Sequence, residues 1–225
     1  MPLPRMIAIC GFMGSGKDTV ARHLIAAHGY NKVSFAGALK DAVAAIFGWP
    51  RDALEGETPE SRVWRETVDP WWSERLQRPS LTPRMVLQVV GTDLFRNRFH
   101  DDIWIAAVER RLMVDPEQKV VITDCRFPNE MALIRRLGGV VWSVSRTASE
   151  PAWLPALMEV SKHSRAPELV MREHGAHPSE WLWYLHPRDG EIKNDGGLRE
   201  LFESADALLT HQKGAEHSEG PRNLQ

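Results

Sequence analysis

The residues with the clearest chemistry lie between Gly11 and Thr19, where the chain reads GFMGSGKDT. This stretch fits the pattern G-x-x-x-x-G-K, in which glycines let backbone N–H groups turn inward around a polyphosphate and Lys17 reaches the outer phosphates. The helix that follows directs the positive end of its dipole at the same anion. The pattern predicts binding of a nucleoside triphosphate, with a plain Gly-rich turn as the alternative. The predicted contacts are Gly11, Met13, Gly14, Ser15, Gly16, Lys17, Asp18 and Thr19.

The pattern departs from its usual form at Asp18, which stands where Ser or Thr normally places a hydroxyl on Mg²⁺. A carboxylate is also a good oxygen ligand for this hard cation. Two roles stay open: Asp18 holds the metal directly or through water, or it only caps the helix while Thr19 takes part of the metal role. On ligand chemistry alone we favour the metal role.

A second acid and a second cation follow another apolar run, where Val120–Ile122 leads through Thr123 to Asp124 and then Arg126. An acid at this point can hold Mg²⁺ through its water shell, and an arginine can clamp a phosphate with two parallel N–H bonds. The alternative is a helix cap at Asp124 with Arg126 in a surface salt bridge. Glu130, one turn into the next helix, either orients Arg126 or faces solvent.

A third set of polar residues recurs every fourth position in a helix predicted over 83–96. Arg84, Gln88 and Thr92 share one face of such a helix, so a cation, an amide and a hydroxyl could line one groove. That combination suits a phosphate and the edge of a base. A solvated polar face is the alternative.

The elements that must position these residues follow from the apolar pattern. Met6–Cys10 is typical of a buried strand, and Val20, Leu24 and Ile25 recur at helical spacing before Gly29. Further strands are predicted at 32–36, 119–124, 140–146 and 191–195, and further helices at 37–47, 83–96, 102–114, 128–137 and 198–209. This alternation predicts an α/β fold with about five parallel strands covered by helices on both faces.

Ligands of such sheets bind at the carboxyl ends of the strands, so the loop after Cys10, Phe35, Asp124 and Arg146 are expected along one rim. Residues 49–80 are rich in charge, Pro and Trp, and are predicted to be irregular or short-helical. Residues 147–185 have little periodicity and are predicted to form an insertion long enough for a mobile lid, with a solvated charged loop as the alternative. The polar segment 211–225 is predicted to be a disordered tail.

Composition narrows the class of protein. A chain of 225 residues suits one α/β domain, here 1–210, and a net charge of −2 with a pI near 6.5 gives no indication of a nucleic-acid polymer or a membrane surface as partner. Cys10 and Cys125 end predicted strands without metal-site spacing, so a reduced cytoplasmic setting is expected. Most of the nine tryptophans are expected to pack in insertions, where they could also bury a homodimer interface.

The ordered motifs GFMGSGKDTVA, SFAGALKD, LQVVGTDLFR, DCRFPNE, HPSEW and NDGGLREL resemble those of the deoxynucleoside monophosphate kinases of tailed bacteriophages. The resemblance covers about residues 5–205, without the 49–80 stretch and the tail. It implies a P-loop kinase fold with an acceptor-binding region at about 37–115 and a lid at about 147–185. It further implies transfer of the ATP γ-phosphoryl group to a deoxynucleoside monophosphate, with dGMP and dTMP favoured, in the cytoplasm and, if the chain is phage-encoded, in that of the host. Dephospho-coenzyme A kinase and a non-catalytic nucleotide-binding regulator are the rival interpretations.

The resemblance also implies residue roles. Lys17, Asp124, Arg126 and Arg146 would be catalytic, helped from the lid by Lys162 or Arg165, with Mg²⁺ on Asp18 and Asp124 and with Asn194 near the ATP base or only in a turn. Phe35 and Trp104 would stack on the acceptor base or lie in the core. The complete acceptor set is Phe35, Lys40, Arg84, Gln88, Thr92, Arg96, Trp104, Arg126, Phe127 and Glu130. His177–Glu180 matches a lid motif with no chemical role assigned.

Overall fold

The computed structural model describes residues 3–162 and 166–211, so Arg165 and all of the predicted tail except its first residue lie outside the described residues. The strands of the described chain are β1 Met6–Cys10, β2 Asn31–Val33, β3 Val120–Ile122, β4 Val140–Ser145 and β5 Gly190–Lys193. They form one parallel sheet in the order β2-β3-β1-β4-β5. The predicted α/β class with a five-stranded parallel sheet is confirmed.

Helices lie between these strands and after the last of them. They are α1 Lys17–His28, α2 Gly37–Phe47, α3 Pro59–Glu66, α4 Pro70–Arg75, α5 Pro83–Gln88, α6 Ile103–Leu112, α7 Pro128–Arg136, α8 Leu154–Lys162, α9 Pro167–Glu173, α10 Pro178–Trp181 and α11 Leu198–His211. A π-helix spans Val89–Phe99, and 3₁₀ turns span Ala53–Glu55, Thr147–Ser149 and Leu182–Leu185. Within the described ranges, none of these helices combines the length and the apolar character needed to cross a membrane.

The first of two compact units contains the sheet and is formed by the described residues up to Ser34 and from Asp115. Strand β1 is central, and all five of its residues have no exposed surface. Its Ile7 and Ile9 pack with Leu24 of α1 and Leu201 of α11. Burial of an aliphatic side chain contributes about 2 kcal/mol to the stability of the fold. The buried residues of β1 therefore anchor the loop that follows this strand.

The second unit is Phe35–Val114 and is helical. Its core contains Leu39 and Val43 of α2 together with Trp49, Leu54 and Trp104. The Trp49 indole donates a hydrogen bond to Asp69 Oδ2 at 2.8 Å, so a buried N–H is satisfied and α4 is joined to the core. The tryptophans at 49 and 104 are buried packing residues.

The prediction of one regular α-helix over 83–96 is wrong. The α-helix ends at Gln88 and a π-helix follows it. Gly91 lies in this π-helix against Leu39, where an added Cβ would come within 2.6 Å of the leucine Cδ2, and its carbonyl accepts the Trp104 indole N–H at 2.9 Å. A π-helix rotates through a smaller angle per residue than an α-helix. The prediction that Thr92 shares one face with Gln88 is therefore wrong.

The segment 147–185 is more regular than its weak periodicity predicted, since it contains α8, α9 and α10. Its HPSE motif acquires a structural role. The His177 ring accepts a hydrogen bond from the Ser179 backbone N–H, and Pro178 occupies the first turn, so the motif caps the start of α10. The Glu180 carbonyl accepts the indole N–H of Trp183.

Candidate active site

The loop Gly11–Lys17, called the phosphate loop below, connects the end of β1 to the start of α1. Two of its glycines are required by close approach and by backbone conformation. Gly11 has φ +147° and an added Cβ would lie 2.3 Å from the Val144 carbonyl oxygen, while Gly16 has φ +109° and an added Cβ would lie 2.4 Å from Asn194 Nδ2. Residues with side chains cannot take these places without distortion. The loop is therefore shaped by its backbone.

The Ser15 side chain points into this loop. It is 1% exposed, its Oγ has no hydrogen-bond partner among the described residues, and it lies 2.7 Å from the position that a Gly11 Cβ would take. A buried hydroxyl without a partner costs free energy, which an anion in the loop would recover. The buried hydroxyl without a partner therefore supports the predicted contact between Ser15 and a phosphate. Met13, by contrast, is 86% exposed.

Asn194 follows β5 and its amide Nδ2 donates to the Ser15 carbonyl at 2.8 Å. The side chain thus supports the phosphate loop from the neighbouring strand. Its next residue, Asp195, accepts from the backbone N–H of Thr147 at 2.7 Å, which joins the ends of β4 and β5. Contact of Asn194 with an ATP base stays a prediction.

Lys17 begins α1 and folds back over the loop. Its Nζ donates to the carbonyls of Gly11 and Phe12 at 2.8 and 2.7 Å. Burial, and then repulsion from the Arg126 guanidinium, lower the pKa of Lys17 from 10.5 to about 8, against a smaller opposing attraction from Asp18. Lys17 and Arg126, both predicted to be catalytic, therefore lie close enough for the charge of Arg126 to lower the pKa of Lys17.

Two carboxylates lie at the same edge of the sheet, each oriented by a hydroxyl. Asp18 Oδ1 accepts from Thr123 Oγ1 at 2.9 Å and lies 3.5 Å from Lys32 Nζ, while Asp124 Oδ2 accepts from Ser34 Oγ at 2.7 Å. Each carboxylate has further lone pairs that a hard cation can use. Oxygen donors of this kind fit Mg²⁺, and binding of one ion by both carboxylates stays a prediction.

Glu130 is buried, so the solvent-facing alternative is wrong. The side chain is 2% exposed and its Oε2 accepts from the backbone N–H groups of Arg126 and Phe127 at 2.7 and 3.1 Å. This arrangement caps α7 and fixes the backbone that carries Arg126, whose own side chain is exposed. The orienting alternative thus holds at the level of the backbone. A substrate contact of Glu130 or Phe127 stays a prediction.

Arg146 directly follows β4 and is exposed. Lys162, at the end of α8, is also exposed and lies 3.9 Å from Glu159. The place of Arg146 at the carboxyl end of a strand agrees with the predicted rim. Contact of either cation with a phosphoryl group stays a prediction.

In the second unit, the predicted acceptor cations are paired with acids. Lys40 Nζ lies 2.6 Å from Glu55 Oε2, and Arg84 Nη1 lies 2.8 Å from Glu66 Oε1. Burial alone would raise the pKa of Glu55, but hydrogen bonds from Lys40 and Arg51 outweigh it and lower that pKa. Lys40 is therefore held more firmly than Arg84, whose pair is exposed.

The other predicted acceptor residues of this unit differ in exposure. Phe35 and Trp104 are 2% and 6% exposed, and Trp104 belongs to the core. The core alternative thus describes Trp104, while stacking on a base stays a prediction for both rings. Gln88 is exposed and Thr92 is half-buried. The Arg96 side chain is 10% exposed and its Nη1 lies 4.0 Å from Asp101 Oδ1.

Sequence reasoning missed the residues that hold the predicted site in place. Ser34 and Thr123 were detectable, because each directly follows one of two neighbouring strands paired at Val33 and Ile122. Phe12 was not. Its ring lies 5.6, 5.0 and 5.9 Å from the rings of Trp153, Trp183 and Tyr184, so the phosphate loop packs on the 147–185 segment.

A phosphate loop after the central strand of a parallel sheet, with a lysine at its end and acids at the same sheet edge, is typical of P-loop proteins that bind nucleoside triphosphates. Residues 73–152 match the family model for deoxynucleotide monophosphate kinase. A protein of Acanthamoeba polyphaga mimivirus, described as a candidate deoxynucleotide monophosphate kinase, is 33% identical over 155 residues, which cover 63% of this chain and 74% of that protein. The chain belongs to the deoxynucleotide monophosphate kinase family and is a nucleoside monophosphate kinase, so the resemblance read from its motifs is confirmed.

Other similarities are shorter or looser. The deoxynucleoside-5'-monophosphate kinase of Escherichia phage T5 is 46% identical over 55 residues, which cover 24% of this chain and 22% of the phage protein. The crystal structure of TT1252 from Thermus thermophilus is 25% identical and superposes with a TM-score of 0.45, covering 95% of this chain and all of that one. A dephospho-CoA kinase from Campylobacter jejuni is 13% identical at a TM-score of 0.45, covering 92% and 96% of the two chains.

Proposed function

We propose that the protein transfers the γ-phosphoryl group of ATP to a deoxynucleoside monophosphate. An oxygen of the acceptor phosphate forms the new bond to the γ-phosphorus, the bond from that phosphorus to the β–γ bridging oxygen breaks, and ADP and a deoxynucleoside diphosphate leave. The attacking phosphate is already anionic, so no general base is needed. The protein's task is then to position two anions and to neutralise their charge.

The observation that carries this proposal is the environment of Lys17. Its ammonium bonds to two loop carbonyls while Arg126 repels it, and its pKa is lowered to about 8. Two cations that repel each other in a partly buried place favour an anion between them. A triphosphate in the loop supplies that anion, and it also gives Ser15 Oγ a partner.

Asp18 and Asp124 are the residues proposed to hold Mg²⁺, directly or through water. When bound, the ion would spread the negative charge of the β- and γ-phosphates. Thr123 and Ser34 donate hydrogen bonds that keep the two carboxylates oriented. Each carboxylate can accept such a bond and still offer an oxygen to a cation.

For the acceptor phosphate we propose Arg126, whose backbone is fixed by the buried Glu130 cap. Within the second unit we propose Arg84 or Arg96 as a phosphate contact and the exposed amide of Gln88 for the base edge. The exposed ion pair of Arg84 with Glu66 contributes little free energy, so Arg84 can leave Glu66 and bind a phosphate at little cost in free energy. Lys40, Phe35, Thr92 and Trp104 complete the proposed set.

The 147–185 segment is proposed as a lid that excludes water from the phosphoryl group. Packing of Phe12 on Trp153, Trp183 and Tyr184 supports this role, because it links the phosphate loop to that segment. Arg146 would then meet charge that develops on the transferred group. We favour dGMP and dTMP over dAMP as acceptors.

The test measures ADP release with ATP and Mg²⁺ alone and after addition of dGMP, dTMP, dCMP, dAMP or dephospho-coenzyme A. We expect release that depends on a deoxynucleotide and that is fastest with dGMP and dTMP. Arg126→Met should lower kcat/KM for the acceptor, and Arg136→Met, at the end of α7, is the matched control. ATP binding without acceptor-dependent release would refute the proposal, and dependence on dephospho-coenzyme A alone would replace it.

A further inference from the structure

A cluster of metal-binding side chains lies apart from the candidate active site, on α1 and α11 of the first unit. Nε2 of His23 and Nε2 of His28 lie 2.8 and 2.7 Å from the same oxygen, Oδ1 of Asp206. One ligand atom from each residue lies within 4.8 Å of the other two. Within residues 3–162 and 166–211, this is the one group of three or more such residues that comes so close.

The two imidazoles are held in place by their surroundings. The His23 ring stacks on Phe202 with centroids 4.4 Å apart and planes 5° apart, and it meets the His28 ring edge-on at 5.6 Å. The His28 backbone is fixed at the end of α1, where its carbonyl accepts a hydrogen bond from Lys119. The Asp206 side chain is 45% exposed, against 14% and 24% for the histidines. The cluster therefore opens to solvent on its carboxylate side.

We propose that His23, His28 and Asp206 bind a transition-metal dication of the Zn²⁺ type, with solvent as the fourth ligand. Two imidazole nitrogens and one carboxylate oxygen form a ligand set that Zn²⁺ takes at about 2.0–2.2 Å. Tetrahedral bonds of that length separate ligand atoms by about 3.4 Å. The N···O distances must therefore open by about 0.6 Å, which rotation of the half-exposed Asp206 side chain can supply.

The ligand chemistry separates this site from the proposed magnesium site. Imidazole nitrogen favours Zn²⁺, Co²⁺ and Ni²⁺ over Mg²⁺, which prefers oxygen ligands. Each ring would bind through Nε2 in its neutral form, with its remaining proton on Nδ1. The ion would replace the present hydrogen bonds and join α1, the helix that begins at Lys17, to α11. Its expected effect is a more stable first unit without a step in phosphoryl transfer.

The test uses the full chain without an affinity tag, stripped of metal by a chelator, with Co²⁺ as the spectroscopic probe. The wild-type protein should bind one Co²⁺ with the visible absorption of a four-coordinate site, and Zn²⁺ but not millimolar Mg²⁺ should displace it. His28→Gln and Asp206→Asn should each weaken Co²⁺ binding at least about tenfold and abolish the rise in Tm that Zn²⁺ gives. His174→Gln, which changes an exposed histidine after α9, should leave both results unchanged.

Either of two results would overturn the proposal. One is a wild-type protein that takes up no Co²⁺ at millimolar concentration, and the other is wild-type affinity in folded His28→Gln and Asp206→Asn. If neither variant folds, the histidine ring NMR signals of the wild-type protein decide. Zn²⁺ bound at this site must shift the ring signals of His23 and His28. None of these readouts depends on kinase activity.

Discussion

Raising the pH should disable the wild-type protein through Lys17 while sparing a Lys17→Arg variant. The pKa of Lys17 is lowered from 10.5 to about 8 by burial first and by Arg126 second. In the free protein the side chain is then almost fully charged near pH 7 and only about one-tenth charged near pH 9. Because the triphosphate requires the ammonium form, kcat/KM for ATP should fall about tenfold over this range. Arginine stays charged throughout, so the variant should be slower but should lack this decline.

The assay measures kcat/KM for ATP between about pH 6.5 and pH 9.5 at saturating Mg²⁺ and acceptor. The ratio of the wild-type to the Lys17→Arg profile removes every titration that the two proteins share, including those of ATP. Arg126→Met should move the wild-type decline to higher pH, since loss of the neighbouring positive charge raises the pKa of Lys17. Parallel profiles of wild type and Lys17→Arg up to pH 9.5 would show that the charge of Lys17 does not set the decline.

Three further substitutions test other parts of the site. Glu130→Ala removes a buried carboxylate that accepts hydrogen bonds from two backbone N–H groups at the start of α7. The free energy of unfolding in urea should therefore fall by about 2–3 kcal/mol, with a smaller loss for Glu130→Gln. An unchanged free energy would contradict the capping role. Asn194→Ala removes the bond to the Ser15 carbonyl and should raise KM by about fivefold for ATP and GTP alike, whereas an effect on ATP alone would mean that Asn194 reads the base. Asp18→Ala should raise the Mg²⁺ concentration needed for half-maximal rate, and an unchanged dependence would reject its metal role.

The parts of the fold that follow from local pattern could be predicted from the sequence. A buried run at Met6–Cys10 followed by a Gly-rich loop requires a strand, a tight turn and a helix, and the structure has them. Helix α2 has its predicted bounds at Gly37 and Phe47, because its apolar spacing and Gly48 are local signals. The parallel sheet followed from the alternation of strands and helices.

What could not be predicted depends on contacts between distant residues. The strand predicted at 32–36 ends at Val33, because pairing with β3 stops at Ile122 and not because the sequence changes character. The π-helix depends on the Trp104 indole, which bonds to the Gly91 carbonyl 13 residues earlier. Glu130 is a charged residue that no local pattern marks as buried; only the approach of two backbone N–H groups makes that position favourable.

In the proposed reaction, the phosphate loop and Lys17 hold a triphosphate whose terminal group passes to a second nucleotide. The most direct measurement supplies ATP with a radiolabelled γ-phosphoryl group together with dGMP and follows the label by chromatography. The wild-type protein should move the label into dGDP, and folded Lys17→Met should slow that transfer at least about a hundredfold. Lys17→Met that labels dGDP at the wild-type rate, or a wild-type protein that labels no deoxynucleotide, would show that the protein does not work in this way.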